Sequence, residues 1–227
     1  KADLIRLIEA RKSDKQVIGA MLGIEGGHAI EASLENLEKV YAAGVRMIGP
    51  THFFDNEFGG SAHGENNSGL TDFGKSAVQK MNELGIFIDL AHSSPAIVDD
   101  VLKITTKPVM VSHTGVRAVL DSQRNLSDAQ IQNIAANGGI IGIAFFDMAV
   151  GIPELPNIIA SIKHVRDLVG VEYVALGSDY DGSVAVPFDI TGLPLIVEGL
   201  MNAGFTEAEI RAVMGENVKN FFLKNLK

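Results

Sequence analysis

The sequence predicts an α/β fold of the TIM-type (β/α)8 barrel class, in which parallel strands alternate with helices. Six short apolar runs alternate with helix-like segments along the 227 residues, and five of the six runs end at a polar residue able to do chemistry. A doubly wound sheet gathers its site at one switch point, whereas a closed barrel brings every strand end to one mouth. The spread of polar residues therefore favours the barrel. Such a barrel has eight strands, so we expect residues 1–227 to form a single, partial (β/α) barrel catalytic domain with about six of the eight.

The strands are predicted where apolar residues follow one another without alternation, as they do in parallel strands that are buried on both faces. In chain order the predicted strands are Val17–Ile24, Val45–Ile48, Ile86–Leu90, Val109–Val111, Ile140–Phe146 and Val174–Leu176. Between the second and third strands, Phe53–Ser68 is rich in Gly and Asn and has no periodicity. A loop of that length in a compact domain is usually functional or mobile.

The helices are predicted from apolar residues at helical spacing, together with start and stop signals. Gly44, Gly85 and Gly170 each follow a periodic segment and end it, and Ser127 is a suitable N-cap. The predicted helices are Ala2–Arg11, Glu31–Ala43, Thr71–Leu84, a segment that begins at Ser93-Ser94-Pro95 and ends before Pro108, Ser127–Asn137, Pro156–Val169, Leu193–Ala203, Thr206–Met214 and Asn217–Leu226.

Composition and charge exclude several classes of function. The net charge of −9 disfavours nucleic acid as a partner, because phosphate binding needs a basic face. No apolar run approaches the roughly 18 residues that a membrane span requires. The chain has no cysteine, so a metal ion would have to be bound by His, Asp or Glu. No signal peptide is visible, but the chain begins with Lys rather than Met. The compartment therefore stays open, with a cytoplasmic location favoured slightly over an exported one.

Two histidines and a glutamate at strand ends form the strongest candidate site. His92 and His113 end two consecutive predicted strands, and Glu25 ends the first. Neutral imidazoles and a carboxylate are a normal ligand set for Zn²⁺ or a similar divalent ion. Either histidine alone would more often be a strand-end residue bonded to a neighbouring loop. The three together predict a metal site.

Three further residues are candidates for catalysis or substrate binding. Asp179, in the Gly-Ser-Asp-Tyr-Asp-Gly turn, could transfer a proton in a metal-dependent hydrolysis, whereas an ordinary Asx-turn suits Asp181 better. His52 could stabilise an oxyanion, or could be a plain loop histidine. Arg124 could bind a carboxylate with two hydrogen bonds, although a solvated surface arginine is the commoner case. The remaining histidines, for which we expect no direct role, are His28, His63 and His164.

The order and spacing of six motifs resemble the membrane dipeptidase, or renal dipeptidase, family of zinc metallopeptidases. The motifs are Gly-Ile-Glu-Gly-Gly-His (23–28), Pro-Thr-His (50–52), Ile-Asp-Leu-Ala-His (88–92), Val-Ser-His-Thr-Gly (111–115), Ser-Gln-Arg-Asn (122–125) and Gly-Ser-Asp-Tyr-Asp-Gly (177–182). The resemblance implies a (β/α)8 barrel that holds two zinc ions bridged by one carboxylate. It also implies free dipeptides as substrates, often with tolerance for a D-residue at the carboxyl end.

The resemblance also implies a role for each matching residue. Glu25 corresponds to the bridging ligand, and His92 and His113 to ligands of one zinc. His52 corresponds to the histidine that steadies the oxyanion and contacts substrate. The remaining two correspond to the carboxylate-binding arginine (Arg124) and to the acidic residue that manages the proton (Asp179). The expected partners are thus a small dipeptide and, in a homodimer, a second copy of the chain.

One family motif has no match. A His-x-Asp motif supplies the remaining ligands of the other zinc in the family, and none precedes Glu25 here. We expect that this absence and the two missing strands have one cause, namely that the sequence lacks the amino-terminal part of the barrel. One set of zinc ligands would then be incomplete.

Two other functions remain open on the sequence. Another metal-dependent amidohydrolase could use the same barrel on a cyclic amide or ester, with Phe53–Ser68 reshaping its pocket. Alternatively, a catalytically inactive, truncated barrel could serve as a binding module.

Overall fold

Six parallel strands follow one another in chain order and form the central wall of the protein. A computed structural model describes residues 1–227. Its strands are β1 (Leu22–Ile24), β2 (Val45–Ile48), β3 (Phe87–Ile88), β4 (Met110–Thr114), β5 (Ile140–Ile143) and β6 (Val174–Leu176). They form two parallel sheets of three strands each, β1-β2-β3 and β4-β5-β6. Asp89, directly after β3, pairs in parallel with Met110 of β4, so the two sheets meet at their edges. This mixed α/β arrangement is consistent with part of a barrel.

Helices fill the connections between the strands. They are α1 (Ala2–Ser13), α2 (Leu34–Ala42), α3 (Asp72–Leu84), α4 (Pro95–Ile104), α5 (Asp128–Ala136), α6 (Asp147–Val150), α7 (Leu155–Val169), α8 (Leu193–Asn202), α9 (Glu207–Arg211) and α10 (Asn217–Asn225). The predicted cap Ser127 is present, since its side chain accepts a hydrogen bond from the Gln130 N–H. Thr206 caps α9 in the same way by accepting from the Glu209 N–H. None of these helices combines the length and the apolar character that crossing a membrane demands.

The bounds of four predicted strands are wrong. Ile86–Leu90 is longer than β3, which covers only Phe87–Ile88. Val17–Ile24 is too long, because β1 is bonded only to β2 and that pairing begins at Leu22. Ile140–Phe146 is also too long, since β5 ends at Ile143. Val109–Val111 is too short, so His113 lies within β4 rather than after it. A strand extends as far as its partners do, and an apolar run does not carry that information.

Burial on both faces, which we predicted for every strand, fails at β1. Leu22 is 56% exposed, whereas all of β5 is buried. The difference follows from neighbours, because β5 lies between two strands and β1 has one.

The predicted helix Glu31–Ala43 begins too early. A 3₁₀ turn, Gly27–Ile30, comes first, and Glu31 and Ala32 then adopt left-handed backbone conformations. The helix starts at Leu34, with Ser33 as its cap. The predicted helix Thr206–Met214 is likewise interrupted: α9 ends at Arg211, and a π-helical turn follows.

The two faces of the strands pack against different helices, because successive strand residues point to opposite sides. One face contributes Ile88, Val111 and Ile141 to the main apolar core, which includes residues of α3, α4, α5 and α7. The other face forms a smaller cluster in which Phe221 of α10 packs with the strand residues Phe87, Met110, Ile140 and Ala175. Helices thus pack on both faces of the strands, and the loops lie at the ends of the strands.

Candidate metal centre

The predicted site residues lie at the carboxyl ends of the strands. Glu25 directly follows β1, His52 and His92 come shortly after β2 and β3, and His113 lies within β4. Asp179 comes shortly after β6. Because parallel strands present their carboxyl ends at one edge, residues far apart in sequence converge there.

Glu25, His92 and His113 offer ligand atoms that all lie within 4.8 Å of one another. The Oε1 atom of Glu25 is 3.1 Å from His92 Nε2 and 3.4 Å from His113 Nε2. The two Nε2 atoms are 2.9 Å apart. The structure therefore brings together the three residues that the sequence singled out for metal binding.

This ligand set fits a divalent ion such as zinc. Two imidazole nitrogens and a carboxylate leave one tetrahedral position for water or substrate, which is the pattern of catalytic rather than structural zinc sites. Nitrogens bound to one zinc at about 2.0–2.1 Å lie roughly 3.3 Å apart, and the 2.9 Å separation here is close to that. Small shifts of the two rings would admit the ion.

The protonation states of these groups favour metal binding. Burial lowers the pKa of His92 and, with the nearby Arg124 charge, lowers the pKa of His113 to about 3. A hydrogen bond with His92 holds the pKa of Glu25 well below its usual range. At neutral pH the site therefore presents neutral imidazoles and an ionised carboxylate, which are the forms that bind metals.

The backbone of His92 is held in a left-handed conformation, with φ at 59°. Its carbonyl oxygen accepts hydrogen bonds from Ala62 N at 2.8 Å and from Thr51 Oγ1 at 3.2 Å. Such backbone conformations are costly outside glycine and persist where surrounding contacts enforce them. Loop residues that follow β2 therefore fix the direction in which the His92 side chain projects.

His113 is positioned through its own strand. Its Nδ1 atom lies 2.9 Å from Ser112 Oγ. The Ser112 N–H donates to Asp89 Oδ1 at 2.8 Å, and the Ala91 N–H donates to the same oxygen at 3.1 Å. Burial raises the pKa of Asp89, and these bonds act against that effect. Ser112 thus connects the Nδ1 atom of His113 to the buried carboxyl group of Asp89.

His52 lies at the open side of the triad. Its Nε2 atom is 3.6 Å from Glu25 Oε2, and its ring is perpendicular to that of His92 with 4.5 Å between centroids. Gly26 permits this approach: its φ is 96°, and a Cβ there would lie 2.5 Å from the His28 ring and 3.2 Å from the Cβ of His52. His52 can therefore reach a group bound at the triad.

Arg124 is buried, with 7% exposure, and forms no ion pair with any carboxylate. Its Nη2 donates to the His113 carbonyl at 2.9 Å, and its Nε is buried without a partner. Burial lowers the pKa of Arg124 to about 10, so the side chain remains a cation at neutral pH. Asn125 anchors the segment by accepting from Gly115 N and donating to Ala149 O. The prediction of a surface arginine as the commoner case does not apply to Arg124.

A cavity of about 400 Å³ adjoins Arg124. Four buried polar atoms in the protein have no hydrogen-bond partner, and three of them belong to residues lining this cavity: Asn67 Oδ1, Ser122 Oγ and Arg124 Nε. Unpaired buried polar groups are costly and call for a ligand or water. His63 also lines the cavity and contacts His92.

Asp179 also has a left-handed backbone, with φ at 62°. Burial raises the pKa of Asp179 to about 6, with further contributions from the Asp181 and Glu25 charges and an opposing one from Arg124. A carboxyl group with a pKa near 6 can both accept and donate a proton close to neutral pH. The Asx-turn prediction for Asp181 is confirmed, since its Oδ1 accepts from Ser183 N at 2.7 Å.

His63, for which the sequence predicted no direct role, lies beside the candidate metal ligands. Its Nε2 atom is 3.1 Å from His92 Nδ1. By contrast, His164 Nε2 lies 2.7 Å from Asp128 Oδ1 at the surface, and His28 is exposed. Burial and the charges of His92 and Arg124 lower the pKa of His63 to about 4. The only sequence signal for His63 is its place in a long loop between two strands that carry site residues.

The profile of the membrane dipeptidase family (peptidase family M19) matches residues 5–223. Dipeptidase 3 of Mus musculus is 32% identical over 225 residues, covering 92% of this chain but 45% of the mouse protein. The human Dipeptidase 3 is 30% identical over 226 residues and is covered to 46%. The chain thus spans about half the length of these curated relatives.

Solved structures share the fold. A metallopeptidase from Rhodobacter sphaeroides, solved with a phosphinate mimic of the dipeptide L-Ala-D-Ala, superposes with a TM-score of 0.84 at 27% identity. The match covers 96% of this chain and 67% of the bacterial one. An amidohydrolase from Pseudomonas aeruginosa superposes with a TM-score of 0.86 at 25% identity, covering 96% and 76% of the two chains.

Proposed function

The chain belongs to the membrane dipeptidase family, peptidase family M19, and on that premise we propose that it is a zinc-dependent dipeptidase. Its substrates are free dipeptides, including those with a D-residue at the carboxyl end. The bacterial relative solved with an L-Ala-D-Ala mimic supports the second part. In this proposal residues 1–227 act as one catalytic domain.

The observation that best supports the proposal is the buried guanidinium of Arg124, which has no carboxylate partner. A buried cation without a carboxylate partner is costly, and an anionic ligand removes that cost. Arg124 contacts the backbone of the metal ligand His113 and lines an adjoining cavity. A free dipeptide has a terminal carboxylate close to its peptide bond, so the two groups could engage Arg124 and the triad together.

Glu25, His92 and His113 would hold the zinc. When bound there, zinc supplies Lewis-acid polarisation of the peptide carbonyl and a lower pKa for water. The Oε2 atom of Glu25 lies on the side of His52, away from the Oε1 that approaches the two histidines. The family resemblance implies that Glu25 would also help to hold a second zinc.

Asp179 and His52 would carry the remaining chemistry. Asp179, whose pKa is raised to about 6, accepts the proton of the attacking water and delivers it to the departing amine. His52 is partly exposed and lies next to Glu25. It donates a hydrogen bond to the carbonyl oxygen as negative charge develops there, which typically contributes a large part of the rate enhancement.

We also propose that the six strands are part of a TIM-type barrel. The uninterrupted strand order and the bridge between Asp89 and Met110 support this arrangement. So does the collection of all the site residues at the carboxyl ends, where barrel enzymes place their sites.

Side-by-side assays of the zinc-loaded chain test the function. The substrates are an L-L dipeptide, an L-D dipeptide, the same L-L dipeptide with its carboxylate amidated, and a hydantoin. We expect hydrolysis of the free dipeptides, slower reaction of the amidated one and none of the hydantoin. Turnover of the hydantoin alone would favour a cyclic amidohydrolase. Protein that cannot be loaded with zinc would favour a binding module instead.

A further inference from the structure

The two ring nitrogens of His92 have different surroundings. Nε2 faces the other ligand atoms, 3.1 Å from Glu25 Oε1 and 2.9 Å from His113 Nε2. Nδ1 faces away from them and lies 3.1 Å from His63 Nε2. A histidine that binds a metal through Nε2 carries its proton on Nδ1, and that N–H needs an acceptor which fixes the tautomer and the ring orientation.

We propose that His63 is a positioning residue of the metal centre: its Nε2 accepts the Nδ1–H of His92 and so keeps His92 Nε2 free for the metal. This inference rests on the metal site of the proposed function. It places His63 outside the ligand set, because His63 Nε2 approaches His92 Nδ1, whereas Glu25 approaches the other ring nitrogen of His92.

The surroundings of His92 offer no other side-chain acceptor for this proton. His92 is 4% exposed, so water has little access to the ring. The rings of His52 and Phe53 pack beside it, with centroids at 4.5 and 5.3 Å. Of these neighbours, His63 alone is within hydrogen-bond distance of Nδ1.

The loop that carries His63 contacts His92 at three points, one of which is the Ser61 hydroxyl, which lies 3.3 Å from the His92 carbonyl oxygen. Ala62 N donates to the His92 carbonyl at 2.8 Å, and the next residue supplies the side-chain contact. The His63 N–H donates to Ser61 Oγ at 3.0 Å, and Ser61 N donates to Asp55 Oδ1 at 2.8 Å. The backbone and side-chain contacts together set both the position and the tautomer of His92.

The other histidine ligand has an equivalent partner. His113 Nδ1 is 2.9 Å from Ser112 Oγ, which belongs to the adjacent residue of the same strand. The partner of His92 instead comes from the long loop after β2, 29 positions earlier in the chain. The Nδ1 atom of each of these two histidines thus has a polar partner, and the partner of His92 comes from the long loop.

Zinc affinity of the full chain tests this role without requiring activity. Metal-free wild type, His63→Leu, His63→Gln and the surface control His164→Leu are titrated with zinc against a chromophoric chelator. Leucine removes the acceptor, and we expect affinity to fall roughly 10- to 100-fold, the usual effect of losing an outer partner. Glutamine places an oxygen near the position of Nε2, so it should restore most of the affinity. His164→Leu should bind as the wild type does.

Thermal unfolding of the same proteins separates positioning from folding. In chelator the four proteins should unfold at similar temperatures, whereas the increase in Tm caused by zinc should shrink in His63→Leu alone. Wild-type affinity in His63→Leu would overturn the inference and leave the proposed function intact. If His63→Leu and His63→Gln lost the same number of bound zinc equivalents, His63 would be a zinc ligand, and the inference would again be overturned. Failure of the wild type itself to bind zinc would overturn both.

Discussion

Replacing Asp179 with asparagine should stabilise the metal-free protein while removing most of the activity of the zinc-loaded enzyme. The pKa of Asp179 is raised from 3.8 to about 6, mainly by burial and by the charges of Asp181 and Glu25. Between these values the folded chain binds more protons at this group than the unfolded chain does. Stability therefore falls as the pH rises through this interval, and the full penalty persists above it.

The size of the effect follows from that shift. A change of about 2 pKa units would correspond to roughly 3 kcal/mol for a fully buried group, but Asp179 is only half-buried and water screens its charge. We therefore expect a gain of about 1 kcal/mol near pH 7.5, or roughly 2–4 °C in Tm. Asparagine tolerates the left-handed backbone at this position, where φ is 62°, so the substitution adds no strain.

Urea unfolding in the presence of a chelator measures this gain. Near pH 4.5 it should shrink to about a third of its value near pH 7.5, because most of the carboxyl is then protonated in the folded chain. Asp121→Asn is the control, since it removes an equal charge from an exposed position on another loop. A destabilised variant, or an equal gain at both pH values or in the control, would refute the reasoning about burial.

The activity of Asp179→Asn is a separate measurement on the same variant. Loss of proton transfer should lower kcat by at least about 100-fold while zinc content stays near that of the wild type. Unchanged kcat would show that another group moves the proton, even if the stability result held.

The remaining predictions concern the metal and the substrate carboxylate. His113→Ala removes one of the three proposed ligands, so zinc content measured by elemental analysis should fall, and full occupancy would contradict its role. Arg124→Ala should raise KM for free dipeptides roughly 10- to 100-fold, the value of a charged hydrogen bond, with little change for amidated dipeptides; an equal loss for both would point to a structural defect. Zinc at 100 times its Kd should stabilise the folded chain by about 2.7 kcal/mol. If a chelator did not change the Tm of the zinc-loaded protein, that result would argue against a specific zinc site.

The proposed role of His63 makes the long loop after β2 a part of the metal centre. The loop was expected to be functional or mobile, and its interior is well packed, with Phe58 and Ser61 fully buried. Asp55 organises it by accepting hydrogen bonds from Ser61 and Asn66, and these bonds lower the pKa of Asp55. Substitutions in this loop could thus alter metal binding without touching a ligand.

The strand order and the metal triad were predictable from local pattern. Apolar runs indicate parallel strands, and parallel strands place their carboxyl ends at one edge. That rule alone brings Glu25, His92 and His113 to the same edge of the strands. Apolar runs do not predict where a strand begins or ends, as the wrong bounds at Val17–Ile24 and Ile140–Phe146 show. The end of a strand depends on its hydrogen-bonded neighbour.

By itself, then, the sequence determined the α/β order and the candidate ligands Glu25, His92 and His113 that this order brings together. Only the tertiary structure decided that His63 meets His92, that Arg124 is buried without a carboxylate partner, and that the pKa of Asp179 lies near 6. These properties depend on the path of irregular loops and on the burial of individual groups. Both arise from contacts between distant residues, and neither leaves a periodic signal along the chain.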